Sequence, residues 1–302
     1  MSVWIAGAQG MLGRCVARKL DLFGVPWVGT DAELDIADYA AVSTFLRDSK
    51  ASHVINCAAY TAVDAAEADE ANAYRINAVG ASTLARACRE QRTCFAHVST
   101  DYIFDGERAE HHDEGSPAGP CNAYGRTKLE GERLIVAEFA SDASAPGWLI
   151  ARTSWLFGNG RSSFVDTMYK LMLEQTELRV VDDQHGRPTY AVDLAEFLVR
   201  ASGAVGVRAL TSGVWHFANS GPTTWFGLAT EIRNEMIASG VRVATTRLVP
   251  ITTAEFPRPA RRPKNSVLST KRLESEAGIV PRPWREALRE YIELRAKSAP
   301  WP

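Results

Sequence analysis

Tyr124 and Lys128 stand four residues apart in NAYGRTKLEGE, residues 122 to 132, a stretch of good helix formers. At that spacing both side chains share one helix face, about one turn apart. An ammonium beside a phenol favours the phenolate and lowers the tyrosine pKa. Such a pair can move a proton at a reacting oxygen near neutral pH. The same spacing also describes an ordinary solvated helix face, so the surroundings have to decide. Upstream, STDYIFDG at 99 to 106 brings Ser99, Thr100, Asp101 and Tyr102 together, and a glycine-rich turn lies near the start of the chain.

That turn is GAQGMLG. Val3 to Ala6 reads as a strand, then Gly7, Gly10 and Gly13 follow at G-x-x-G-x-x-G spacing, then the helical pattern RCVARKLDLFG. Missing side chains permit a tight turn, close approach of a pyrophosphate and close packing of helix on strand. The helix N-terminus presents free amides to the phosphates. Gly7, Gly10, Met11, Leu12 and Gly13 are therefore candidate cofactor contacts, against the plainer reading of a structural turn. Pro26 to Thr30 predicts the second strand. Asp31 at its end can bond a ribose 2′-hydroxyl and would repel a 2′-phosphate, which points to NADH. No arginine follows it directly, although Arg14 and Arg18 on the first helix could reach a phosphate. Asp35 and Ile36 lie where an adenine edge would rest.

Further on, 37 to 50 reads as helix and HVINC, 53 to 57, as a buried strand. The small residues after it, with Ala58, Ala59 and Tyr60, let a backbone pass close to a cofactor. Residues 67 to 92 predict one long helix. Asn77 within it is either polar filler or a group that holds a water or kinks the helix beside a site. Residues 94 to 99 read as the fourth strand and deliver Ser99, Thr100 and Asp101 to a carboxyl strand end, where open parallel sheets place ligands. The loop containing His111, His112, Asp113 and Glu114 reads as solvated rather than metal-binding, because adjacent histidines seldom point at one ion. Helix at 122 to 138 and strand at 148 to 151 continue the alternation, which predicts a doubly wound parallel sheet with right-handed crossovers.

The remainder is less regular. Helices are expected at 163 to 174, from Val192, at 224 to 239 and at 284 to 297, with strands at 178 to 181 and 213 to 217. Residues 250 to 266 are rich in proline and arginine. Such a run is a surface loop, or its arginines clamp a diphosphate with paired guanidinium donors. Both readings stand for Arg262, and the clamp is weaker for Arg258. The expected fold class is α/β, a doubly wound parallel (Rossmann) sheet with a smaller C-terminal α/β substrate-binding domain. Residues 1–150 form the dinucleotide-binding part, with a return segment at 178–205, and 151–302 mainly the substrate part.

Composition sets the outer limits. The 302 residues are 46% apolar and 23% charged, with a formal net charge of -2. That balance gives no reason to expect nucleic acid or an anionic membrane as partner. Five cysteines, an odd number without a C-x-x-C pair, and no apolar leader before the first strand lead us to expect reduced thiols in a cytoplasm. No apolar run approaches the ~20 residues that span a bilayer.

With these residues in view, the chain resembles the extended short-chain dehydrogenase/reductases and, within them, the dTDP-4-dehydrorhamnose reductases. The resemblance runs along essentially the whole chain through GAQGMLG, NCAAYTAVDAAE, STDYIFDG, NAYGRTKLEGE, RTSWLFG, DQHGRPT and RPKNSVL. It implies reduction of the 4-keto group of dTDP-4-dehydro-L-rhamnose to dTDP-L-rhamnose, usually with NADPH and sometimes with NADH. Tyr124 would be the general acid. Lys128 would lower the tyrosine pKa and bond the nicotinamide ribose, and Thr100 would bond the substrate carbonyl. Asp101 would position Tyr124 or touch the sugar. Tyr102, Trp155, Arg187, Arg262 and Asn265 are the further candidates for the sugar nucleotide, Trp155 as a pocket wall. Some members pair through a divalent cation held by glutamates, one on the first helix. RCVARKL offers no carboxylate, so no bound metal is expected, and the chain is expected to be a monomer or a metal-independent homodimer.

Two rivals follow from the same residues. One is a 4-ketoreductase of another dTDP-6-deoxysugar, since a few pocket residues decide the face of attack. The other is a non-catalytic nucleotide-binding subunit similar to the regulatory subunit of methionine adenosyltransferase. The presence of Tyr124, Lys128 and Thr100 together favours an enzyme.

Overall fold

The computed structural model describes residues 1–142, 144–160, 163–205 and 210–297. Its centre is a six-stranded sheet in which every neighbouring pair is parallel. Five strands arise in the first half: β1 (Val3–Ala6), β2 (Trp27–Thr30), β3 (His53–Asn56), β4 (Cys94–Thr100) and β5 (Trp148–Thr153). Across the sheet the order is Gly213–His216, β5, β4, β3, β1, β2. Strand order reverses between β1 and β3, so the carboxyl ends of the strands part there and leave a crevice for a ligand.

β1 shows how the layers form. All four of its residues are buried, and alternate side chains leave opposite faces. Val3 and Ile5 join Leu12, Val16 and Leu20 of the first helix, Met11–Leu22, and Leu194 and Leu198 of helix Ala191–Ala201. Trp4 and Ala6 join Val42 and Leu46 of helix Tyr39–Ser49, Leu84 of helix Ala81–Glu90 and Ile135 of helix Ala123–Ala140. A sheet covered on both faces needs near-continuous apolar strands, which is what VWIA and HVIN supply.

The single helix expected over 67 to 92 is divided. Helix Glu70–Tyr74 widens into a π-helical turn, Arg75–Gly80, and resumes as Ala81–Glu90. Asn77 accounts for the interruption. Its Oδ1 accepts the Tyr60 amide at 2.8 Å, and its Nδ2 donates to Tyr60 O and to Thr127 Oγ1, each at 3.1 Å. Its carbonyl also lies against Gly131, where a Cβ would stand 2.2 Å from the oxygen. Bulges of this kind recur at functional sites. Asn77 thus fastens three segments together through direct bonds.

Helix Ala123–Ala140 starts where Asn122 accepts the Gly125 amide at 2.8 Å, a side-chain N-cap. The second half packs a separate core from Phe157, Met168, Met172, Leu228, Ile232, Trp284 and Tyr291. Glu177–Val181 pairs with Arg247–Ile251 in a small sheet of its own. The chain returns to the main sheet through helix Ala191–Ala201, which falls inside 178–205, and through strand Gly213–His216, which lies beyond that segment. Among the described residues no helix is long and apolar enough to cross a membrane.

Candidate active site

A cavity of about 650 Å³ opens at the carboxyl ends of the strands. Gly7, Gly10, Met11 and Leu12 line it after β1, Asp31 after β2, Cys57, Ala58 and Ala59 after β3, and Ser99, Thr100 and Asp101 at the end of β4. Thr153, Ser154 and Trp155 line it after β5, while Asp35 and Ile36 bound it on the β2 side. Tyr124 and Lys128 close it from helix Ala123–Ala140. Residues from five strand ends therefore meet in one space.

The first turn is built for close approach. Gly7 has φ +80°, and a Cβ on it would stand 2.7 Å from the Ala58 amide nitrogen. A Cβ on Gly13 would stand 2.1 Å from Gly7 O, so Gly13 serves the packing of turn on helix rather than the cavity wall. The helix that follows has Gly10 as N-cap, no side chain bonded to its first amides and no acid in its first turn. That leaves a positive helix end facing the cavity, which suits a pyrophosphate. Ser99 and Thr153 add two buried hydroxyls that have no hydrogen-bond partner within the protein. Buried polar groups are normally paired, so these two mark where a polar ligand would bond.

At the far end, Asp31 Oδ2 accepts the Gln9 amide at 2.9 Å. Asp35 is ion-paired with Arg75 at 2.5 Å. Arg75 also lines the cavity, and the sequence does not single it out, because its pattern predicts plain helix where the structure has a π-helical turn. Arg14 Nε is bonded to Gln9 O.

At the near end, Thr100 Oγ1 donates to Asp101 Oδ1 at 3.1 Å and accepts the Tyr102 amide at 3.2 Å. Ser266 Oγ donates to Asp101 Oδ2 at 2.5 Å. Burial outweighs both bonds and raises the Asp101 carboxyl to about 7. Tyr124 packs edge-on against Tyr102, with centroids 5.9 Å apart and planes at 79°. Its hydroxyl is bonded to Thr100, which favours the phenolate, yet burial of the phenol wins and lifts it to about 12. The lowered tyrosine pKa expected from the Tyr–Lys spacing is thus not present in this state. Lys128 is fully buried and bonded instead to His97 Nε2 at 3.0 Å and Val98 O at 2.7 Å. Burial brings its amine down to about 8.

Several candidates lie outside the cavity wall. Tyr60 and Asn77 support it from behind through their mutual bonds. Arg187 is buried with Nε on Asn219 O at 3.0 Å and Nη1 on Leu268 O at 2.7 Å, so its donors tie together the C-terminal segments. Asn265 Nδ2 donates to Arg108 O at 2.8 Å, which holds the loop after β4. Arg262 and Arg258 both pair with Asp64, and Arg262 also bonds the Tyr102 phenol. Burial tends to raise the Asp64 carboxyl, but Arg262, Arg258 and the Ala260 amide hold it down at about 2. A diphosphate reaching Arg262 would compete with Asp64.

Trp155 does line the cavity. It adopts φ +46°, rare for a bulky residue and a form of backbone strain that clusters at ligand sites. Its ring stacks on Trp225 at 3.5 Å and 8°. Nothing near Trp225 in the sequence marked it as the partner. The loop read as solvated is only half so: His111 is exposed, but His112 is fully buried, stacked on Phe104 at 4.2 Å and bonded through Nε2 to Asn265 O. Among the described residues no group of three His, Cys, Asp or Glu side chains is placed to hold a metal ion.

The RmlD substrate binding domain family matches residues 1–296. The chain is 39% identical over 297 residues to a dTDP-4-dehydrorhamnose reductase of Burkholderia thailandensis, covering 95% of this chain and 97% of the relative. A dTDP-4-dehydrorhamnose reductase structure from Clostridium acetobutylicum superposes with a TM-score of 0.89 at 40% identity, covering 98% and 99% of the two chains. One from Bacillus anthracis, in complex with NADP, superposes with a TM-score of 0.86 at 32% identity, covering 96% and 98%.

Proposed function

The chain belongs to the RmlD substrate binding domain family, and from that premise we propose that it reduces the 4-keto group of dTDP-4-dehydro-L-rhamnose to give dTDP-L-rhamnose, with NADPH as donor and NADH also accepted. The observation that carries this reading is the meeting of Tyr124, Lys128 and Thr100 with Gly7, Gly10 and Asp31 around one cavity. A nicotinamide cofactor bound there supplies the hydride.

The chain's own residues do the rest. The glycine turn and the free amides of the first helix receive the pyrophosphate. Asp31, Asp35, Ile36 and Arg75 take the adenosine end, with Arg75 as the cation for a 2′-phosphate. Ala58, Ala59 and Ser99 flank the middle. Thr100 and Tyr124 bond the sugar's fourth oxygen, and Tyr124 protonates it as negative charge develops. A phenol with a raised pKa holds its proton until that charge appears, which suits a general acid. Asp101, linked to Thr100, steadies the hydroxyl. Trp155 forms the sugar wall, and Arg262 serves the nucleotide end once Asp64 yields, with Asn265 as the second candidate there. The barrier falls chiefly through orientation and the placed proton donor.

The same reading divides the chain into a dinucleotide part, residues 1–150 with the later return segment, and a substrate part over most of 151–302, supported by two separate cores, one on the main sheet that also takes in residues from 191 to 217 and one drawn wholly from residues 157 to 292. It gives a monomer or a homodimer that needs no metal, because helix Met11–Leu22 carries no glutamate. It places the protein in a cytoplasm, where five unpaired cysteines stay reduced.

The test is oxidation of NADPH and of NADH with dTDP-4-dehydro-L-rhamnose, followed at the nicotinamide absorbance and by chromatography of the product. Oxidation with dTDP-L-rhamnose formed is the expected result. No oxidation by protein that binds nucleotide would reject the assignment and favour another keto sugar, then a binding subunit.

A further inference from the structure

Lys128 ends a buried chain of side chains that runs away from the reacting centre. Its Nζ lies 3.0 Å from His97 Nε2. His97 Nδ1 lies 2.9 Å from Asn56 Nδ2. Asn56 Oδ1 accepts the Ala58 amide at 3.0 Å. All three side chains are 1% exposed, so water does not settle their bonding.

Counting donors fixes the proton on each atom. A backbone amide can only donate, so the carboxamide oxygen of Asn56 faces Ala58 and its NH2 faces His97. That NH2 also can only donate, so Nδ1 of His97 carries no hydrogen. The imidazole is therefore neutral with its hydrogen on Nε2. Nε2–H points at Lys128 Nζ, which must offer a lone pair. An ammonium has none. Lys128 is then an amine that accepts from His97 and donates to Val98 O at 2.7 Å.

We propose that His97 is a positioning residue whose tautomer is tied to the charge on Lys128, a neutral amine in this arrangement, and that proton uptake by Lys128 is coupled through His97 and Asn56 to the Ala58 backbone at the cofactor cavity. When Lys128 takes a proton from solvent, Nε2 must become an acceptor. His97 then gives up its Nε2 hydrogen and gains one at Nδ1, staying neutral, so one proton enters in all. Asn56 must turn its oxygen to Nδ1–H, which sets its NH2 against the Ala58 amide and breaks that bond. Ala58 is packed against Gly7 so closely that a Cβ there would collide. The charge on Lys128 and the shape of the glycine turn are thereby linked.

The groups around the chain agree in direction. Burial drives His97 well below its usual value, and Lys128 lowers it further. Burial lowers Lys128, against smaller raising effects from Glu132 and Cys57. Glu132 is itself held by Arg152, and Tyr124 shares the cavity. The coupling to cofactor rests on the dinucleotide site proposed above, whereas the tautomer of His97 does not.

Nitrogen-15 NMR of histidine-labelled full-length protein, titrated from pH 6 to 10, tests the chain directly. His97 is expected to pass from the Nδ1–H to the Nε2–H tautomer as pH rises, together with loss of the Lys128 proton, without forming imidazolium. A single tautomer throughout, or an imidazolium, overturns the proposal. In His97→Gln, a side-chain oxygen can accept from an ammonium, and the Lys128 titration is expected to move up by about one pH unit. The pH dependence of the NADPH Kd is expected to flatten in the same variant. If both stay as in the parent while only turnover falls, His97 is merely structural. If NADPH does not bind at all, the cofactor reading fails but the NMR result still decides the tautomer.

Discussion

Ser266 reaches across from the C-terminal segment to donate a 2.5 Å hydrogen bond to Asp101. The carboxylate it touches is buried beside Thr100, and burial lifts the Asp101 pKa to about 7 while Ser266 and Thr100 pull it down. A carboxyl raised on folding favours the folded state at low pH, and that contribution is lost as pH rises through about 7. Ser266→Ala removes one donor to the carboxylate. Its unfolding free energy is expected to match the parent's more closely at pH 5 than at pH 8, where the variant is weaker by about 1–2 kcal/mol. Urea melts at the two pH values check this. An equal deficit at both would show that Asp101 is not titrating there.

A second buried contact lies behind the Tyr124 helix. Arg152 Nη2 donates to Glu132 Oε2 at 2.7 Å and Nε to Oε1 at 3.0 Å, with both residues buried. Removing one partner leaves an uncompensated buried charge. Glu132→Ala is expected to lower stability by about 3–5 kcal/mol, while Glu132→Ala with Arg152→Met recovers part of the loss. Denaturant melts of the single and double variants test the claim, and a double variant no better than the single would contradict it.

Gly186 leaves room for the Trp155 ring. A Cβ there would lie 2.4 Å from Trp155 Cε2, and the same ring stacks on Trp225. Gly186→Ala must therefore push the ring off its stack. The expected result is a rise in KM for the dTDP sugar of about tenfold, from roughly 1.4 kcal/mol of lost sugar contact, with NADPH affinity within twofold of the parent, about the spread expected at an untouched site. Steady-state kinetics on the sugar and a fluorescence titration with NADPH separate the two. An equal loss for both ligands would place Trp155 outside the sugar wall.

What was legible in the sequence was local. Gly7, Gly10 and Gly13 announce the turn by spacing alone, because missing side chains and a helix start are short-range facts. Tyr124 and Lys128 share a face because a helix repeats. VWIA and HVIN read as buried strands. The rest depends on partners far along the chain. For Asn77 both filler and a helix kink stay open until its bonds to Tyr60 and Thr127, 17 and 50 residues away, are seen. His112 looked solvated in a polar loop, yet Phe104 and Asn265 bury it. Arg258 and Arg262 offered donors for a diphosphate and Arg187 stood among the candidates for the sugar nucleotide, but Asp64 pairs with the first two and distant carbonyls hold the third. His97 on an apolar strand reads as core until Asn56 and Lys128 appear at its two nitrogens. The lowered Tyr124 pKa followed from a neighbour's charge, and burial, which the sequence does not measure, reversed the sign.

Asp31 and Arg75 pull cofactor choice in opposite directions. Asp31 faces the cavity with a carboxylate that suits a 2′-hydroxyl and repels a 2′-phosphate. Arg75 faces the same cavity from the π-helical turn and is paired with Asp35, which leaves donors on its guanidinium for a phosphate. A charge-assisted bond to phosphate is worth about 1.5–3 kcal/mol, or roughly 10- to 100-fold in rate. Arg75→Ala is therefore expected to lower kcat/KM for NADPH by about that factor and to leave NADH within about threefold, since Asp31 is untouched. Asp31→Asn is expected to act the other way, improving NADPH and weakening NADH by loss of the hydroxyl acceptor. Ratios of kcat/KM for the two cofactors in the three proteins decide it. An unchanged ratio in Arg75→Ala would mean that the 2′-phosphate is met elsewhere, with Arg14 on the first helix as the next side chain to replace.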